Sequence, residues 1–448
     1  MEGSAALGQE RVDKLLWRYS VPAMIGMVVN ALYNIVDSIF VGNGVGEFAL
    51  AAVAIAFPVM IILMGFGMLI GVGAGSLVSI RMGEGRKEDA ERILGNAFTL
   101  SVLCAIVLSA IILPFLDPVL QLLGAEPNIL PYARDFTKVI LWGSLFMYVG
   151  FGLNSIVRAQ GDPKIAMATM LISAGINVVL NPLFIFYFQL GITGSALATV
   201  IAQMVAAVWI ILHFLRKKSY LRLKTQYMAL DFTVVFQIIK TGASPFLMQI
   251  AASVVNVLFN HSLLLYGGEI AVACIGVITR IGMLLLMPIF GISQGAQPII
   301  GYNYGARSYN RVIEAVRRAS YAASALSLAG FLVVQFFSES IVGVFNQNAE
   351  FIAIGAKGLR LFLLLLPVIG FQVIGANYFQ AVGKAQYAIF FSMSRQVIIL
   401  IPMLLLLPPL FGLNGAWAAA PLADLGSFLL TGYFLFKEIR TLRQSETL

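Results

Sequence analysis

IAMATMLISAGINVVLNPLFIFYFQLGITGSALATVIAQMVAAVWIILHFL, Ile165–Leu215, contains no Asp, Glu, Lys or Arg. One membrane-crossing helix needs about 20 apolar residues, so this run is about two spans long. The break Gln189-Leu-Gly-Ile-Thr-Gly194 splits it and predicts a tight helical hairpin. Outward from it, Phe48–Ile80, Ile93–Leu116 and Val139–Val157 are also uncharged. Thr241–Gly268, Ile281–Ala306, Ala319–Ser338 and Leu361–Gly383 follow on the other side. Ala385–Phe436 is again of double length, interrupted at Pro408-Pro-Leu-Phe-Gly-Leu-Asn-Gly415. With the first apolar segment, Trp17–Val41, the chain reads as twelve transmembrane helices, an all-α polytopic membrane protein. In lipid a backbone must satisfy its own hydrogen bonds, so these runs are helices and not open strands.

The composition agrees. Of 448 residues, 60% are apolar and 11% are charged, against about 45–50% and about 25% in soluble domains. That excludes a soluble enzyme, a coiled coil and a disordered chain. The strands of an outer-membrane barrel would alternate polar and apolar residues, and these runs do not. Cys104 and Cys274 both lie in apolar runs, which speaks against a disulfide framework. With His213 and His261 the only histidines, zinc chemistry is not expected, nor is any other cofactor. No HExxH, GxSxG or paired catalytic aspartates appear, so an enzyme is not expected either. The Trp17–Val41 segment is too long for a signal core.

The net charge of +8 points to lipid headgroups rather than nucleic acid once its placement is read. Putting both termini and the even-to-odd connections on one side collects 22 of the 29 basic residues there, including Arg81, Arg158, Lys164, Arg307 and Lys384. The other side carries mostly acids: Glu47, Asp117, Glu126, Glu269, Glu339 and Glu350. Both termini are therefore expected in the cytoplasm, and the protein in the inner (cell) membrane. The most basic connection divides the chain into an N-terminal lobe at 1–215, a cytoplasmic linker at 216–231 and a C-terminal lobe at 232–448. The linker is expected to snorkel into headgroups.

The two halves repeat at an offset of about 222 residues. Asn34 falls on Asn256, Gly73-Ala74 on Gly295-Ala296, Gly83 on Gly305, and Ala159-x-Gly161 on Ala381-x-Gly383. At the last hairpin the offset slips to 221, where Leu190-Gly-Ile-Thr-Gly matches Phe411-Gly-Leu-Asn-Gly. Each half has an even number of spans, so the repeat is parallel: two pseudo-symmetric six-helix lobes, with a cleft between them expected as the substrate route.

Ionisable and amide groups inside spans are costly and need an account. Asp37 lies about 6–8 Å from the outer end of helix 1 at 1.5 Å per residue. Asn177 and Asn181, four apart on helix 5, and Thr199 on helix 6 reach the same layer. The amides alone could be interhelical glue. Asp37 has no basic residue at its depth in this lobe, so it takes up a proton readily or holds a cation. The C-terminal lobe instead holds Arg280, Arg395 and Asp424 near the midplane, read as a buried Arg–Asp–Arg cluster. Structural pairing and a role in substrate or proton handling both remain open for it. Asp424 falls on Gln203 at the 221 offset. Pro22 removes a backbone bond in helix 1, either as a hinge or as a static kink.

These features resemble the multidrug and toxic compound extrusion (MATE) family, in its DinF-like branch. The resemblance rests on Pro22…Tyr33-Asn-Ile-Val-Asp37, Arg158-Ala-Gln-Gly-Asp-Pro-Lys164, Asn177-Val-Val-Leu-Asn-Pro182 and Gln297-Pro-Ile-Ile-Gly-Tyr-Asn-Tyr-Gly-Ala-Arg307. It implies efflux of small amphipathic, usually cationic compounds by alternating access, driven by inward H+ or Na+ flow. It also implies an ion site at Asp37, Asn177, Asn181 and Thr199, with Asn154 on the cavity wall; Tyr33, Asn34 and Gln203 are further candidates for the same cavity. A Na+ there would use the Asp37 carboxylate with Asn and Thr oxygens. Two departures stand out. Relatives often carry a second carboxylate where this chain has Asn181, and the helix 7 acids of the NorM-like branch are absent from Pro245–Asn260. The expectation is a monomeric antiporter; the alternative is a lipid or lipid-linked oligosaccharide flippase of the same superfamily.

Overall fold

The structure, a computed structural model, describes residues 2–217 and 219–446, without the side chains of 2–5, 34, 445 and 446. Among the described residues there are helices and no strands. After a short helix, Glu2–Gln9, the first half comprises α1 (Val12–Gly44), α2 (Glu47–Gly83), α3 (Lys87–Ile112, carried on to Leu122), α4 (Leu130–Ala159), α5 (Pro163–Pro182) and α6 (Gly191–Leu215). The second half opens with one continuous stretch, Phe232–Gly305, that bends at Gly268 into α7 (232–267) and α8 (269–305). Then come α9 (Tyr309–Gly343), α10 (Ala349–Phe362 and Leu366–Ala381, bent by 45°), α11 (Ala385–Met393 through Ile401–Phe411) and α12 (Leu413–Glu446). Counting the bent stretch as two spans and the broken pair as one gives the twelve helices expected.

The turns carry the repeat more clearly than the helices do. Left-handed backbone falls at Gly46 and Gly268, Gly85 and Arg307, and Gly161 and Gly383, each pair 222 apart, and at Gly191 and Gly412, 221 apart. Glycine adopts that conformation at little cost, so seven of these eight positions are glycine. Arg307 is the exception, with φ of 56°.

Packing divides the chain into two compact units. One contains Ile25–Phe246 and the short N-terminal helix; the other contains Glu10–Met24 and the chain from Leu247 onward. The sequence boundaries at 215 and 232 lie in connections, whereas these fall inside α1 and α7, again 222 apart. The start of α1 belongs with the second half and the start of α7 with the first. Missing side chains explain how closely they pack. In the first unit a Cβ on Gly73 would lie 2.2 Å from the Ile238 carbonyl oxygen, and one on Gly242 would lie 1.8 Å from that of Leu69. In the second unit Gly295, the equivalent of Gly73, and Gly291, the equivalent of Leu69, would each meet backbone, of Ser20 and Met24, at 2.6 Å.

The linker's backbone is seated on the first unit, while the side chains of Arg216, Lys217 and Arg222 are exposed. Buried Glu91 accepts from the Arg222 amide at 3.3 Å and pairs with Lys224 at 2.5 Å. Asn96 donates to the Tyr227 carbonyl at 3.3 Å and accepts from the Asp231 amide at 2.8 Å. Gln160 accepts from Ser219 and the Leu221 amide. The hydrogen bond to Glu91, reinforced by its charge, holds the Lys224 amine above its ordinary value. This ion pair therefore persists through neutral pH and is lost only as pH rises through that value.

Two outcomes follow. Gly242→Leu forces side-chain atoms into the Leu69 backbone and should destabilise the protein by about 1–3 kcal/mol or more. Gly276→Leu, with no atom within 4 Å of its Cβ, is the control; thermal unfolding in detergent checks both. Asn96→Ala removes both linker contacts and should speed amide exchange at Asp231 about tenfold, read by hydrogen-exchange mass spectrometry.

Candidate functional site

α5 and α6 each present an i, i+4 pair of polar side chains to the interior of the first unit. On α5 these are Asn177 and Asn181, 2% and 0% exposed. On α6 they are Ser195 and Thr199. The two pairs meet in rungs. Asn177 Nδ2 donates to Thr199 Oγ1 at 3.0 Å. One turn away Asn181 Nδ2 donates to Asp37 Oδ1 of α1, and Ser195 Oγ donates to the same oxygen at 3.1 Å. Asp37 is half-buried, and among the described residues it forms no ion pair. Its hydrogen-bond partners among the described residues are neutral.

The local chain explains the rungs. Pro182 cannot donate the helical bond to Val178, and a π turn follows at Leu183–Tyr187, an irregularity frequent at functional sites. α1 approaches that turn through Gly44, whose absent Cβ would sit 2.3 Å from Ile185 Cγ2. This holds the C-terminal end of α1, and with it Asp37, against α5.

The sequence reading brought Asp37, Asn177, Asn181 and Thr199 to one layer, and the structure places all four there. It missed Ser195, whose signal was available: four residues before Thr199, on the same face of α6. Asn181 Oδ1 is buried and has no partner among the described residues, an unsatisfied acceptor beside a carboxylate. Tyr33 and Gln203 are half-buried one turn from Asp37 and Thr199, and neither makes a side-chain hydrogen bond among the described residues. The side chain of Asn34 lies outside the described residues. Asn154 does not join the layer. It donates to the Ala166 carbonyl at 3.0 Å and accepts from Arg158, which ties α4 to α5. Pro22 sits within α1, two residues before that helix passes from one unit to the other.

The three-charge cluster of the second half is corrected. Arg395 Nε donates to Asp424 Oδ1 at 2.6 Å, and Asp424 is 2% exposed. Arg280 is exposed, and among the described residues nothing pairs it with Asp424. One guanidinium suffices to neutralise the buried acid, so the cluster is a pair.

Two six-helix repeats with a polar layer set in an apolar lobe define a polytopic helical membrane protein of the transporter kind. A family model described as MatE matches the chain twice, over residues 22–183 and 245–406. The chain belongs to the MatE family. It is 29% identical over 443 residues to "Multidrug export protein MepA" of Staphylococcus aureus (strain MSSA476), covering 97% of this chain and 96% of that protein. The same-named protein of Staphylococcus haemolyticus (strain JCSC1435) is 29% identical over 409 residues, 91% of this chain and 89% of that one. Among solved structures, the "outward-facing conformation of a multidrug resistance MATE family transporter of the MOP superfamily" superposes with a TM-score of 0.94 at 25% identity, over 99% of both chains. A MOP superfamily transporter from Pyrococcus furiosus, described by the "reverse polarity" of its binding pocket, gives 0.93 at 25%, also over 99% of both.

A double-mutant cycle on Asn177→Ala and Thr199→Val should give a coupling of about 0.6–1.7 kcal/mol in unfolding free energy, the range of hydrogen bonds between membrane helices.

Proposed function

We propose that the protein is a secondary active multidrug efflux antiporter of the inner membrane, exporting amphipathic organic cations in exchange for H+. Asp37 is the coupling carboxylate. One observation carries the reading: the acid is held by two neutral donors and, among the described residues, by no cation. Nothing fixed compensates its charge, so a proton or a cationic substrate does.

Asn181 suits both states. Its amide nitrogen donates to the carboxylate; turned over, its carbonyl accepts from the carboxylic acid, and that oxygen is otherwise unpartnered. Protonation from outside removes the negative charge, weakens retention of a cation and loosens the link from α1 to α5 and α6. Drug leaves outward, and the proton leaves to the cytoplasm after the return to the inward-open state. The multidrug export names of the relatives and the cytoplasmic termini expected from the basic residues agree with this direction. A Na+ would find oxygens at Asp37, Asn181, Ser195 and Thr199, and the same layer would serve it. A flippase would need basic groups in the second half to meet an anionic headgroup; with Arg395 paired to Asp424, Arg280 is the one member of that charge set left for it.

Asp37→Asn should abolish drug efflux driven by an imposed pH gradient in inside-out vesicles and, like protonation, weaken the binding of cationic drug in detergent. Undiminished transport would remove Asp37 from the mechanism. Asn181→Ala should slow efflux about tenfold, the cost of one hydrogen bond to a charged group. Repeating the assay with a Na+ gradient and no pH gradient separates the two ions.

A further inference from the structure

The second unit holds a polar column that the Asp37 reading does not use. On α12, Asp424, Ser427 and Thr431 stand at i, i+3 and i+7, one face of the helix, and all three are buried. α10 lies against that face: Gln372 Nε2 donates to Ser427 Oγ at 2.8 Å, and a Cβ on Gly375 would lie 2.6 Å from Thr431 Cγ2. From α11, Arg395 enters out of the π-helical stretch Ser394–Leu400. Further along the same helices, the hydroxyl of buried Tyr378 donates to Glu438 Oε1 at 3.2 Å, and Lys384 Nζ reaches that oxygen at 2.5 Å.

Simple glue between helices satisfies its polar atoms. This column does not. Gln372 Oε1 and Thr431 Oγ1 are buried with no hydrogen-bond partner among the described residues, in side chains 6% and 0% exposed. Asp424 uses one oxygen of two. Along α12 the steps are about 4.5 Å from Asp424 to Ser427 and about 6 Å on to Thr431, spacings that a single water bridges. About 10 Å more reaches Glu438, and Tyr378 extends along that gap.

We propose that this column is a hydrated proton path and that Asp424 is a second protonation site, exchanging its proton with the cytoplasm through Ser427, Thr431 and Glu438. Its ligand is water, and the ion relayed is the proton. Uptake turns the Asp424 carboxylate into a carboxylic acid and ends its pairing with Arg395, which is 30% exposed and turns its head toward water. The charged group facing Asp424 is Arg395 of α11. On α9 and α10, Glu339 and half-buried Arg360 pair with one another at 3.2 Å, and Lys357 and Glu350 are exposed. α12 has no other charge before Lys437 and Glu438. The position of Arg395 therefore sets whether the acid holds a proton. The site lies in the other lobe from Asp37 and stands if Asp37 proves inert.

The test is infrared difference spectroscopy of the full-length protein in proteoliposomes through a pH step, reading the carboxylic acid carbonyl band. Asp37→Asn should retain a pH-dependent buried band, and that band should vanish in Asp37→Asn/Asp424→Asn. Thr431→Val, nearly isosteric, should leave the final band intact but slow its appearance about tenfold, as expected for one lost link in a relay. No band in Asp37→Asn, or a band that survives loss of Asp424, overturns the site. A Thr431→Val rate equal to wild type overturns the path. Drug efflux measured on the same samples reports on Asp37 separately.

Discussion

Inside hydrocarbon every peptide group must find its partner within the chain, and each feature of this molecule is a response to that demand. Long helices meet it by default. Where the chain turns, short backbone bonds such as Gly161 to Arg158 and Gly412 to Pro408 meet it, at left-handed residues that recur 222 apart (Gly46 with Gly268, Gly161 with Gly383) or 221 apart (Gly191 with Gly412). Irregular backbone inside a helix survives only where protein surrounds it. The π stretches Leu183–Tyr187 and Ser394–Leu400 follow Asn181 and contain Arg395, so the strained backbone lies beside the buried polar groups in both halves.

The halves solve the problem of a buried acid differently. Asp37 is met by an amide and a hydroxyl, Asp424 by a guanidinium. A neutral shell leaves the net charge free to change; a guanidinium neutralises it while the pair holds. The repeat is thus a repeat of backbone and small-residue packing, overlaid by chemistry that has diverged. Asn181 and Ser195 have apolar counterparts at the 221 offset, Pro402 and Ala416, and Gln203 stands where Asp424 would fall.

Much of this was legible in the residues. Uncharged runs and their glycine breaks give the helices, because hydrophobic length and turn chemistry are local. The 222-residue interval is visible in Gly73 and Gly295 because both must admit a neighbouring backbone. The Asp37 layer follows from depth along straight helices. One thing was overlooked, Ser195, whose place four residues before Thr199 on the same face of α6 was there to read. Two others were not legible. Arg280 shares a depth with Asp424, but depth does not say on which side of a helix a side chain emerges. The seating of the linker depends on Glu91, Asn96 and Gln160, each far from it in sequence, and reads from composition as lipid-facing charge.

The exchange of helix beginnings bears on biogenesis. Because Glu10–Met24 packs with the later half and 232–246 with the earlier, the first unit is not complete when its own six helices have left the translocon. The first must wait for the start of α7 to cover Gly73. The opening turns of α1, inserted first, have no permanent neighbour until α8 brings Gly291 and Gly295. A chain severed within the linker would strand each of these segments on the wrong fragment, so ancestral separate halves would have had to assemble by trading helix ends, and fusion made that trade intramolecular.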